Sequence, residues 1–243
     1  MKRLKKSIVL LTIISLGAFF FSLTNQVSIE ASSDDNNSIN YVHLKNTSNN
    51  LSTIYSTNYQ NKIYNQIAKL KKYKNYTIEH PLLITNPYDT NTTSVYMYFK
   101  TCDELQATYT IHCEGYNDFS RTLNNNTLSD YTTNHEYLLV GAIPGQINTF
   151  TVTLINKQGN LVDTLSWSYN APSLQGGNQY LTVDCDDANT SSLSNGLYTV
   201  LGNDVTEDSE EQAYMRLYDN DGILRSEIPI ISYRSHRILF EDN

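Results

Sequence analysis

From Ser7 to Leu23 the chain is almost wholly apolar, with Ile8, Val9, Leu10, Leu11, Ile13, Ile14, Leu16, Phe19, Phe20 and Phe21 in close succession. Lys2, Arg3, Lys5 and Lys6 precede this run, polar Thr24-Asn25-Gln26 follows it, and Ala31 offers a small residue for cleavage. Basic, then apolar, then polar is the order of an export signal, and the run is shorter than the ~20 residues of a spanning helix. We expect residues 1–31 to be a signal peptide and the mature chain to be secreted or held in the cell envelope. An uncleaved signal would be its only membrane contact. No Cys closely follows the run, which argues against a lipid anchor.

Residues 32–58 are Ser, Asn, Thr and Asp with few apolar anchors, the pattern of a flexible spacer. Tyr59, Ile63, Ile67 and Leu70 then recur at helical steps and share one face, which predicts an amphipathic helix over 59–72. Lys69, Lys71, Lys72 and Lys74 crowd its C-terminal end, where the helix dipole favours cations. The narrow stripe predicts docking on a neighbouring domain rather than on a membrane surface. From Tyr76 the period changes to two. Strands are expected at 76–78 and 82–84 around Pro81, as an edge, and at 95–99, 105–112, 136–140, 148–155 and 161–169. Asn156-Lys157-Gln158-Gly159-Asn160 is a hairpin loop with a Gly for positive φ, and Trp167 belongs to the core. Short strands at this spacing predict an immunoglobulin-like β-sandwich over 76–170. Pro172, Gly176 and Gly177 mark a linker at 171–180. Strands at 181–185, 197–201, 215–219, 223–228 and 234–240 follow, the middle pair joined by Asn220-Asp221-Gly222. Residues 181–243 thus hold about one blade of a β-propeller, which can neither bury both faces nor close a ring alone. The expected class is all-β.

Nineteen Tyr, with abundant Thr and Asn, fit a β-rich extracellular protein. The formal net charge is −8, and loss of residues 1–31 would remove Lys2, Arg3, Lys5 and Lys6 against Glu30, making it more acidic. So acidic a chain is a poor candidate for nucleic acid or an anionic membrane. Cys102, Cys113 and Cys185 are an odd set without zinc spacing, so buried or semi-buried thiols are expected, with a Cys102–Cys113 bridge the alternative. His43, His80, His112, His135 and His236 are far apart, and solitary histidines in β proteins are usually structural. No nucleophile elbow, Walker loop, zinc helix or dinucleotide fingerprint occurs. We assign no catalytic residue, no metal and no cofactor. Asp219-Asn220-Asp221-Gly222 resembles part of a calcium loop, but Leu217 and Ile228 would fall where carboxylates are required, so it reads as a turn. Asp184, Asp186 and Asp187 read as a solvated loop, and 207–211 as an exposed acidic one. Arg234 and His236 share one face of a predicted strand and are the candidate binders of a sulfate or carboxylate; the plainer reading is a strand with Arg paired to acids.

Three segments carry a resemblance. Asn86 to Phe99, His135 to Gly145 leading into Thr149–Leu154, and Met215 to Ile228 followed by Tyr233–Phe240 are similar to the N-terminal domain and first propeller strands of bacterial aryl-sulfate sulfotransferases. Together they span roughly 76–243. The resemblance implies a β-sandwich followed by a propeller, and sulfuryl transfer from an aryl sulfate to a phenolic acceptor through a transiently sulfated His, without a nucleotide donor. The nucleophile and most channel residues would belong to blades beyond Asn243. The resemblance therefore implies a truncated N-terminal portion that is inactive alone and looks to self-association or a missing C-terminal propeller portion. Arg234 and His236 lie in the matching first-blade segment as its substrate-binding candidates. The alternative is a secreted β-sandwich binding or adhesion module without catalysis, its exposed Tyr and Asn suited to carbohydrate or protein contacts.

Overall fold

The computed structural model describes residues 27–31, 40–44, 50–123, 130–174, 196–201 and 213–231. These described residues are mostly β, in two sheets. The larger has eight strands: β1 (Val27–Ala31), β2 (Asn40–Leu44), β3 (Leu82–Thr85), β4 (Val95–His112), β5 (Phe119–Leu123), β6 (Thr132–Leu139), β7 (Ile147–Ile155) and β8 (Leu161–Asn170). The smaller has three: β9 (Tyr198–Leu201), β10 (Ala213–Tyr218) and β11 (Leu224–Ile230). Among the described residues two helices, α1 (Leu51–Ile54) and α2 (Thr57–Lys71), precede β3.

β4 organises the large sheet. Its first half pairs with β3 and β6, its second with β5 and β7, and the register shifts between Lys100 and Leu105. The two strands expected at 95–99 and 105–112 are thus one. They looked separate because their patterns differ. Residues 95–99 are all buried, the Tyr96 and Tyr98 side lying towards α2 and the Val95, Met97 and Phe99 side towards the core. Beyond the polar bend at 100–104, Leu105, Ala107, Tyr109 and Ile111 point inward and alternate with more exposed neighbours, as in a sheet wetted on one side. Tyr41 on β2 donates to the Ser168 carbonyl on β8 at 3.2 Å, and its ring lies 5.5 Å from Tyr169. The sheet therefore curls into a half-barrel around Phe150, on which Trp167 stacks at 5.3 Å and Tyr169 packs edge-on at 5.7 Å.

The helix expected at 59–72 forms at 57–71, capped by Ser56, whose Oγ accepts from the Tyr59 N–H. Tyr59, Ile63, Ile67 and Leu70 are all buried, so the apolar stripe docks on the sheet as expected. Lys71 bonds to Glu136 on β6 and lies 4.6 Å over the Tyr98 ring. No helix among the described residues is long and apolar enough to cross a membrane.

Several expectations need correction. Residues 76–78 form no strand, and β3 is interior, paired with β2 on one side and β4 on the other. Pro81 stands just outside it, so its missing N–H costs the ladder nothing. The presumed spacer carries β2 and α1, with Tyr41, Leu44 and Ile54 buried. Val27–Ala31, at the expected end of the leader, pairs with β2. β5 has no counterpart in the sequence reading. Cys102 is exposed rather than buried, Cys113 is buried, and the two are not bridged. The 156–160 hairpin forms as expected: Gly159 has φ +80° and the Asn156 side chain accepts from the N–H groups of Gln158 and Asn160, each at 3.0 Å.

Candidate functional site: the joint between the sheets

Arg234 and His236 lie outside the described residues, as do Cys185, Asp184, Asp186, Asp187 and the acidic run 207–211. Among the described residues, several buried polar groups gather where the β10–β11 hairpin meets the half-barrel. The hairpin turn is built by Asp219, whose Oδ1 accepts from the N–H groups of Asp221 (3.0 Å) and Ile223 (2.9 Å). Gly222 supplies the positive φ of +73°. This leaves Asp219 Oδ2 aimed at Arg225 Nε, 2.6 Å away. The partial calcium-loop pattern is thus a turn whose first carboxylate serves the backbone and an arginine.

Arg225 is 1% exposed. Its other two nitrogens cross to the half-barrel: Nη1 donates to the Gly141 carbonyl at 3.2 Å and Nη2 to the Asn117 carbonyl at 2.8 Å. The guanidinium carbon lies 5.4 Å from the centre of the Phe119 ring. Gly141 makes this socket possible. At φ +109° it presents its carbonyl to Arg225, and a Cβ there would meet the Phe119 ring at 2.7 Å. Burial raises the pKa of the neighbouring Cys113 thiol, an effect partly offset by the Arg225 charge.

A second set of contacts flanks the socket. Ser226 donates to Asn91 Oδ1 at 2.5 Å, while Thr93 Oγ1 bonds to the Arg225 carbonyl at 3.0 Å and lies 3.2 Å from Ser226 Oγ. Asn117 Nδ2 reaches Asp221 at 3.0 Å, and Tyr55 Oη donates to the Pro229 carbonyl. The loop bearing Asn91 and Thr93 is itself fixed. Asn86 and Asp89 take left-handed φ values of +37° and +57°, and Asn86 Oδ1 accepts from the Asn91 N–H at 3.2 Å. Asp89 accepts from Tyr59 on α2.

These groups recognise and orient; none pairs a nucleophile with a base. His135 is in the core, and His112 faces Asp118 on the surface at 2.7 Å. Among the described residues no three His, Cys, Asp or Glu side chains gather as a metal site would require. The sequence reading missed Asn91, Thr93, Asn117 and Arg225. The one available signal was Arg225-Ser226-Glu227, three polar residues running through the middle of a hairpin strand, where a surface strand would alternate.

Residues 82–171 match the family model for the arylsulfotransferase Ig-like domain. All of β3–β8 falls within that stretch, as does the half-barrel side of the socket, Asn91, Thr93, Asn117, Phe119 and Gly141. No curated protein and no solved structure matches the chain.

Proposed function

We propose, on the premise that residues 82–171 are an arylsulfotransferase Ig-like domain, that this chain is the exported N-terminal portion of an aryl-sulfate sulfotransferase. Its role is to seat the first strands of a propeller on a preformed base. The single observation that carries this reading is the family match across β3–β8, with β9–β11 held at its end through the Arg225 socket. The reaction of such an enzyme moves a sulfuryl group from an aryl sulfate to a phenol. That chemistry needs an accessible His facing cationic donors for the sulfuryl oxygens. Of the described histidines, His135 is packed against Phe99, His112 pairs with an acid, His43 bonds to Thr85 and His80 lies exposed.

The purified chain should therefore release no 4-nitrophenol from 4-nitrophenyl sulfate with phenol as acceptor. Sustained turnover would overturn the proposed inactivity. For export, N-terminal sequencing of the protein recovered outside a bacterial cytoplasm reads the cleavage point: cleavage after Ala31 would remove β1, and cleavage before Val27 would keep it. Retention of the whole chain in the cytoplasm would overturn export.

A second reading, a binding module without chemistry, is favoured by one surface. The outer face of β5, β4, β7 and β8 carries two rows of hydroxyls, Thr122–Thr108–Thr153–Thr164 and Ser120–Thr110–Thr151–Ser166, with no charge in either. Within the second row Thr110 and Ser120 bond at 2.7 Å, and Thr151 and Ser166 at 2.8 Å. Retention of the chain on an insoluble neutral polysaccharide, abolished by Thr151→Lys, would support that reading over the first.

A further inference from the structure

We propose that the Asn117–Phe119–Gly141 corner of the half-barrel is a guanidinium-recognition site, and that Arg225 is the positioning residue that sets how the β9–β11 sheet sits on it. The inference rests on the joint's geometry alone, so it stands or falls apart from the sulfuryl-transfer reading.

The socket has the features of a ligand site rather than of ordinary core. Two backbone carbonyls, both on the half-barrel, converge on separate nitrogens of one planar fork, and an aromatic ring lies beside it. The third side is closed by Asp219, which travels with the guanidinium on the same hairpin. The arginine thus arrives already neutralised, with its two remaining nitrogens free to read the carbonyls. The other joint contacts include hydrogen bonds of Asn91, Thr93, Ser226, Asn117 and Tyr55, which fix register, and the packing of Leu197 on the half-barrel core. Inter-domain contacts of polar character ordinarily permit relative motion. Here the buried fork opposes it: pulling the hairpin away breaks the two carbonyl bonds that the guanidinium makes only when docked. Lysine cannot substitute, because one ammonium on a flexible stem cannot span both carbonyls and Asp219 in a plane.

The test uses the full chain and site-resolved amide hydrogen exchange. Arg225→Ala should speed exchange across β10–β11 by roughly 100-fold or more, the loss expected when one partner of a buried pair is removed. Amides of β7 and β8 should be unchanged. Methylguanidinium added to Arg225→Ala should restore protection over β10–β11, while methylammonium at the same concentration should not. Arg225→Lys, which keeps the charge and loses the fork, should fall between wild type and Arg225→Ala, and it keeps the test intact should the alanine variant not fold. The proposal is overturned if β7–β8 loosens as much as β10–β11, if methylammonium rescues as well as methylguanidinium, or if Arg225→Lys matches wild type.

Discussion

His135 lies flat against Phe99, its cross-strand partner, with ring centroids 4.4 Å apart and planes 7° apart. Its Nδ1 is 2.9 Å from Tyr137 Oη and its Nε2 3.0 Å from Thr101 Oγ1, so both ring nitrogens meet hydroxyls. Burial lowers its pKa from the ordinary 6.5 to about 4. The unfolded chain therefore takes up a proton as pH falls through 6.5, while the folded imidazole stays neutral until about pH 4. The stability this contributes is whole above pH 6.5, declines below it and levels off under pH 4, a loss of about 3 kcal/mol in all. Urea unfolding at about pH 7 and about pH 4.5 should show 2–3 kcal/mol of acid loss from this group, roughly as linkage requires. His135→Phe, which cannot titrate, should lack that share; an identical acid response in the variant would refute the assignment.

The α2 stripe gives a packing prediction. Ile63 and Ile67 are each 2% exposed, so Ile67→Ala should cost about 2–5 kcal/mol by lost transfer energy and the cavity left behind. Lys62→Ala, on the exposed side of the same helix, should stay within about 0.5 kcal/mol. Chemical denaturation distinguishes them, and equal effects would mean that the stripe is not what holds α2.

Two glycines separate strain from collision. Gly159, at φ +80°, has nothing within 4 Å of an added Cβ, so Gly159→Ala should cost about 1–2 kcal/mol for the left-handed backbone alone. Gly141→Ala adds a 2.7 Å encounter with the Phe119 ring and should cost a further ~1–3 kcal/mol. Adding Phe119→Leu to Gly141→Ala should recover part of that excess in thermal unfolding. No recovery would place the cost elsewhere than the ring.

The thiols differ in access. Cys102 is exposed and Cys113 buried, with burial raising the Cys113 pKa. Brief alkylation followed by peptide mass mapping should label Cys102 in the native protein and Cys113 only after unfolding. A Cys102–Cys113 disulfide peptide would contradict the structure.

What the sequence disclosed depended on how local each signal was. Tyr59, Ile63, Ile67 and Leu70 declared their shared face because helical period is a property of one segment, and Gly159 and Gly222 declared their turns for the same reason. The continuity of β4 was hidden because its first half is covered on both sides and its second on one, so the alternation changes midway. β2 was hidden because Tyr41 is buried through Ser168 and Tyr169, more than a hundred residues away. The joint was the least legible part. Nothing near Arg225 in the chain announces that its partners are Asn117 and Gly141, since those contacts exist only once the two sheets meet.

Because β4 belongs to both ends of the half-barrel, the large sheet has a mechanical spine with one elbow at residues 100–104. The point where Lys71 of α2 lies over Tyr98 and the stretch ending at Ile111, paired with Phe119 of the socket corner, belong to this same strand. The helix-bearing end and the hairpin-bearing end are thus tied through one continuous strand rather than through side-chain contacts alone.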